Sequence, residues 1–417
     1  TCNNIIIFGA FLFIPTGNDN IIIGVRFMNK IFGFTQEELA NLKATYTANE
    51  IYQQPELWKE TLNIVENNKE AINKFLEKNL NKDNVRIILT GAGTSAYVGD
   101  TIYLYLAKKL GKKVEAIATT DFVSNPDEYI DENANTILVS YARSGNSPES
   151  VGTYDLFEKK VKNLAHIVVT CNKEGELAKK SQEKEGNLVL LMPEKSNDKS
   201  FAMTSSFTCM TLATLLLFDI ANLEENKKIV EELATKGQAS LDNQWEDAKA
   251  ISNLGAERIV YVGSGSLKGL CHEMALKNLE LTSGKQVTVC ESILGFRHGP
   301  KSIINNNTLV IFLCSTNDYT ALYDYDLIKE VYNDEGTQKV AVLSYFNREN
   351  LKEISHKYIT ANGSKLNDTF IAFNYIIFGQ MISFFNSLRL GISPDNPRPD
   401  GTVNRVVQGV IIHEYNN

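Results

Sequence analysis

Hydrophobic and polar positions follow two alternating patterns along most of the chain. Short β-branched runs, "VRIILT" from Val85, "NTILVS" from Asn135 and "AHIVVTCN" from Ala165, end in small or polar turns. Stretches with the spacing of amphipathic helices separate them, so the pattern predicts strand, helix, strand, helix, strand. The series returns as "RIVYV" from Arg258, "NTLVIF" from Asn307 and "KVAVLSYFN" from Lys339. Gly91 and Gly263, one in each Gly-x-Gly turn, are 263 − 91 = 172 residues apart, and Asn135 and Asn307 repeat that spacing. Such a repeat predicts an α/β protein of two tandem domains. Each is a doubly wound parallel sheet flanked by helices, a three-layer αβα arrangement of the flavodoxin type. Ligands in such sheets gather beyond the carboxyl ends of the strands, where the Gly-rich turns lie.

Two long uncharged runs, Phe201–Phe218 and Thr369–Leu388, raise the question of a membrane. Their Ser, Thr, Asn and Gln residues predict buried core helices instead. Residues 1–27 lack the basic segment and cleavage site of a signal peptide, and Pro15 interrupts an apolar run too short to span a bilayer. Met28 opens an ordinary amphipathic pattern, so residues 1–27 are expected to be a disordered or non-native extension.

The ends of the matching strands differ in chemistry. In the first half, "ARSGNSPES" offers Arg143, Ser144 and Ser147 just before a helix that Pro148 can start. With Thr94 and Ser95 of "GAGTS", and Thr204 and Ser205 of "TSS", three hydroxyl-rich turns are expected to converge on one phosphate. The bland reading of each turn is an ordinary helix cap. Neither a Walker A loop nor a full G-x-G-x-x-G is present, which leaves ATP and NAD unsupported.

The second half loads its first helix with ionisable groups, "CHEMALKNLELTSGK". Glu273, Lys277 and Glu280 share one helix face, either as a solvated salt-bridged stripe or as acid/base groups at a ligand crevice. The helix leads into "ESILGFRHGPKSII", where Arg297 and His298 stop at Gly299 and Pro300. A lone histidine is more often a cap than a catalyst, but the preceding helix favours function here.

Composition narrows the partners. A net charge of -8 and a pI near 5.4 argue against a nucleic-acid platform and suit the cytoplasm. Six cysteines without a C-x-x-C pair suggest reduced thiols, with no zinc site or disulfide framework.

"GAGTSAYVGD", "ARSGNSPES" and "ALKNLELTSGKQVTVCESILGFRHGPKSI" resemble the sugar isomerase (SIS) domains of phosphosugar enzymes. The last motif and the ending "SPDNPRPDGTVNRVVQGV" resemble the AgaS family, the galactosamine-6-phosphate deaminase/isomerases. The resemblance runs from about Thr45 to the C-terminus. It implies that Ser144, Ser147 and Ser95 hold a sugar phosphate. It also implies that Glu280 moves a proton between C1 and C2 with Lys277 beside it, and that His298 opens the sugar ring, often in a neighbouring subunit's site. Glu273 and Glu291 are the next candidates for the base. Related synthases carry a Schiff-base lysine in the tail, where this chain has Asn404 beside Arg405. This chemistry requires no metal or redox cofactor. The expected divisions are a helical segment over 28–80, a first domain with the phosphate turns over 81–225, a second with the acid/base residues over 226–395, and a tail over 396–417. The tail is expected to lie across another surface. A homodimer or higher homo-oligomer is expected, with a small sugar phosphate as partner and neither nucleic acid nor membrane. A pure aldose/ketose isomerase and a non-catalytic sugar-phosphate sensor are the alternatives.

Overall fold

The computed structural model describes residues 30–415 in full and, within 1–27, the backbone of Ile6–Phe8, Phe11–Thr16 and Asp19–Gly24. Those three segments pair as a small antiparallel sheet; the other positions of 1–27 lie outside the described residues.

Two five-stranded parallel sheets carry the rest. The first runs Lys113–Ala116, Val85–Thr90, Asn135–Ala142, Asn163–Thr170, Leu188–Leu191 in spatial order. The second runs Val287–Glu291, Arg258–Val262, Thr308–Leu313, Lys339–Ser344, Lys357–Thr360. Both have the same order, with the second strand of the chain at one edge beside the first. The repeat extends to register: Arg86 stands opposite Thr136, and Arg258 opposite Thr308. In each half the order reverses beside the first strand, so the Gly-rich turn that follows it opens at the crevice.

The two uncharged runs are core helices. Ser205–Phe218 is buried along its whole length, and Asp368–Arg389 from Thr369 to Ser387. The second is long and apolar enough to cross a bilayer, but it is almost wholly buried inside the protein, and several of its polar groups pair with other elements. Gln54 Nε2 donates to Gln380 Oε1 at 2.7 Å, and Asn386 Nδ2 to Asn278 Oδ1 at 2.8 Å. One apolar core joins the halves, running from Ile87 and Leu89 of the first sheet to Tyr261 and Ile311 of the second.

The first helices of the two halves, Thr94–Leu110 and Ser266–Leu281, pack directly on each other. A Cβ on Gly269 would lie 2.2 Å from the Asp100 carbonyl oxygen, so only glycine permits this approach. Here Asp100 Oδ2 meets His272 Nδ1 at 3.0 Å, two positions separated by the repeat spacing of 172. Equivalent residues therefore face each other across a pseudo-two-fold axis.

The tail beyond Leu390 forms no helix or strand up to Tyr415 and makes hydrogen bonds to the N-terminal helical segment and first half of its own chain. Asp395 accepts from the Tyr46 and Thr47 N–H groups, the Arg405 carbonyl accepts from Arg143 at 2.7 Å, and the Tyr415 carbonyl accepts from Lys159 at 2.7 Å.

Candidate active site

At the junction of the halves, the acid/base helix meets the first Gly-rich turn. Lys277 is fully buried, and its Nζ lies 2.9 Å from Thr94 Oγ1, 2.5 Å from Glu280 Oε2 and 3.5 Å from Glu273 Oε1. The face shared by Glu273, Lys277 and Glu280 is thus turned into the protein rather than toward solvent. A charge this deep persists only when paired. Burial pulls the Lys277 ammonium down, but Glu273 and Glu280 outweigh it and hold the pKa above its ordinary value. Glu273 is fully buried with no hydrogen bond to either oxygen. Burial is the main cause that pushes its carboxyl up to about 8, with Lys277 pulling against it. At neutral pH, Glu273 is mostly protonated and Lys277 holds its charge against Glu280. Glu280, about a quarter exposed, is the member open to a ligand.

Ser144 and Ser147 lie at the end of Asn135–Ala142, leading into the helix Pro148–Lys160. Ser144 Oγ accepts from the Asn146 N–H at 3.3 Å, and Ser147 Oγ donates to Ser150 Oγ at 2.7 Å. Among the described residues no carboxylate accepts a hydrogen bond from this turn. Ser144 and Asn146 line a cavity of about 940 Å³ whose other walls include Tyr46, Glu50, Lys199 and Arg405. Lys277 and Glu280 are not among its walls; Lys277 meets the first half at Thr94. Ser95, buried, opens the same helix as Thr94.

Three of the expected phosphate ligands are engaged within this chain. Thr204 and Ser205 turn their polar groups to the protein, because Asp198 fills that helix start. The Asp198 carboxylate accepts from the backbone N–H groups of Thr204, Ser205 and Ser206 at 2.8, 3.1 and 2.9 Å, and from the Ser206 hydroxyl at 2.6 Å. The Thr204 hydroxyl also turns to Asp198, and that of Ser205 donates to the Glu50 carbonyl. Arg143 donates to the carbonyls of Ser200, Phe201 and Arg405. Burial first, then Arg405, lowers its pKa. Arg297 pairs with Glu330 at 2.6 Å at an exposed edge. His298 is exposed beside it, just before Gly299 turns the chain at φ +115°; its backbone N–H donates to the Gly295 carbonyl at 2.9 Å, and its imidazole makes no hydrogen bond or ion pair among the described residues.

Sequence reasoning missed Asp198 and Glu50. Glu50 is buried on the helix Thr45–Tyr52 and accepts from the Lys199 and Ser200 N–H groups, so two carboxylates fix the loop before Thr204. Burial, then Asp198 nearby, pushes the Glu50 carboxyl up to about 8. Only the spacing of Asp198 before a Thr-Ser-Ser helix start hints at its role; nothing in the sequence marks Glu50.

Two pseudo-symmetric flavodoxin-type halves, with a hydroxyl-rich turn in one and a buried Glu-Lys-Glu helix face in the other, are the build of a SIS domain protein. Residues 79–220 match the SIS domain family. The D-galactosamine-6-phosphate deaminase AgaS of Shewanella sp. strain ANA-3 is 40% identical over 382 residues, covering 91% of this chain and 94% of that one. The crystal structure of tagatose-6-phosphate ketose/aldose isomerase from Escherichia coli is similar with a TM-score of 0.83 at 37% identity, covering 89% of this chain and 97% of that one. A crystal structure from Clostridium novyi NT gives 0.91 at 44% identity, covering 93% and 100%. The chain belongs to the AgaS family of SIS domain proteins.

Proposed function

We propose that the protein converts galactosamine 6-phosphate to tagatose 6-phosphate and ammonia. The observation that carries this reading is the buried Lys277 bridging Thr94 of one half and Glu280 of the other. In this reading Ser144, Ser147 and Ser95 bind the phosphate. His298 of a neighbouring subunit opens the sugar ring, a task suited to a group that titrates near neutrality. Glu280 removes the C2 proton of the open-chain amino aldose, and Lys277 holds the oxygen that gains charge at C1. The enolamine takes a proton back at C1 and becomes an imine at C2. Water adds to C2, ammonia leaves, and the ketose phosphate remains. Asn404 carries an amide and donates to the Gly401 carbonyl at 3.0 Å, so the tail supplies no Schiff-base amine at that position. The proposed assembly is a homodimer or higher homo-oligomer, and the proposed compartment the cytoplasm.

The likeness to a ketose/aldose isomerase supports a second reading, in which the same proton transfer acts on tagatose 6-phosphate without loss of nitrogen. One assay separates them. Galactosamine 6-phosphate, glucosamine 6-phosphate and tagatose 6-phosphate are incubated singly with the protein, with ammonia and ketose followed independently. Equimolar ammonia and ketose from galactosamine 6-phosphate is the expected result. Aldose formed from tagatose 6-phosphate, with no ammonia from either amino sugar, overturns the deaminase reading.

A further inference from the structure

The repeat relates a second cleft to the first, and its anion seat is already taken. By the spacing of the halves, Thr94 corresponds to Ser266, Ser144 to Thr316 and Gly145 to Asn317. Ser266, Thr316 and Asn317 line a cavity of about 530 Å³, large enough for a hexose phosphate. Asp368 stands in its wall, at the start of the core helix Asp368–Arg389. Its Oδ1 accepts from the Thr316 N–H at 2.7 Å and the Thr316 hydroxyl at 2.9 Å, and its Oδ2 accepts from the Ser315 hydroxyl at 2.6 Å. These are hydrogen bonds that a phosphate oxygen would otherwise receive. The matching turn of the first half gives none to a carboxylate.

We propose that Asp368 is an internal stand-in for phosphate: the second half keeps a seat for a phosphate monoester, and this carboxylate occupies it. The inference rests on reading the Ser144 turn as the substrate's phosphate seat. A dianion approaching Thr316 meets a like charge and finds the donors engaged, which excludes it twice over. Lys108 lines the same cavity and offers a cationic complement once the carboxylate is gone; Lys365, also in its wall, is paired with Asp318 at 2.5 Å. By the same spacing Glu280 corresponds to Lys108 and Lys277 to Tyr105, so the second cleft lacks the proton-transferring carboxylate. A ligand seated there is bound and not turned over. The exclusion keeps substrate and product out of an unproductive site.

Calorimetric titration of the full chain with inorganic phosphate tests this. The wild type is expected to bind one phosphate per chain and Asp368→Ala two. Asp368→Asn, which keeps the shape and drops the charge, is expected to gain the second site more weakly and stands in if the alanine variant fails to fold. Combining either with Ser144→Ala and Ser147→Ala should leave one site, the new one. A natively folded Asp368→Asn that gains no phosphate, or a wild type that binds two, overturns the inference. Failure of the underlying reading looks different: the wild-type phosphate is then absent or indifferent to the Ser144 and Ser147 substitutions, whatever Asp368 does.

Discussion

Lys277 Nζ and Thr94 Oγ1 lie 2.9 Å apart across the junction of the two halves, so the acid/base helix and the first Gly-rich turn meet within one chain. His298 stands apart on an exposed loop with no partner of its own among the described residues. Within one chain, Glu280 is thus joined through Lys277 to the Thr94 turn, while His298 lies apart on its loop.

Mixing variants tests that division. Glu280→Gln and His298→Ala, each inactive alone, are dissociated, mixed and reassociated. If His298 serves the neighbouring site, hetero-dimers regain up to roughly half of the wild-type activity, because one of two sites is then intact. Verified hetero-dimers without recovery place both residues in the same subunit's site.

Glu280→Gln is nearly isosteric and should keep sugar-phosphate binding while turnover falls by about 10²-fold or more, the loss expected for an absent general base. Binding by calorimetry and turnover by ammonia release separate the two effects. Retained turnover moves the base elsewhere.

Ser144→Ala with Ser147→Ala should raise KM by at least tenfold, since each hydroxyl's charge-assisted hydrogen bond to the dianion is worth roughly 1.5–3 kcal/mol. Thr204→Ala is the contrasting case. It should lower Tm by weakening the Asp198 cap and leave KM within about twofold, because a cap contributes on the order of 1 kcal/mol to folding and nothing to substrate binding. Equal KM changes in the two would return Thr204 to the phosphate site.

Glu273 gives a pH signature in stability. Its folded carboxyl is pushed up to about 8, mainly by burial, from an ordinary value of 4.5. Between these values the unfolded chain has released the proton and the folded chain keeps it, so stability falls as pH rises through that window. Glu273→Gln carries no such proton. Its Tm relative to wild type should climb from pH 5 to pH 8 and level off above. A difference that is flat with pH removes the protonated assignment.

The sequence by itself determined the two-fold repeat, the parallel sheets and the identity of both core helices. Those follow from local chemistry: β-branched runs ending in glycine, and long uncharged stretches that keep enough amide and hydroxyl groups to bind protein partners. It also marked Glu273, Lys277 and Glu280 as one face, because helix geometry fixes neighbours at three and four residues. What it left open was where each face points, and only tertiary packing decided that. The same spacing describes a solvated stripe and a buried cluster; the packing of Ser266–Leu281 on Thr94–Leu110, allowed by Gly269, buries it. Hydroxyl-rich turns likewise look alike in one dimension. The turn at Thr204 is filled by Asp198, the one at Thr316 by Asp368, and the one at Ser144 by no carboxylate among the described residues. Which turn stays open depends on carboxylates six and 52 residues away: the spacing of the first only hints at its role, and no local pattern spans the second.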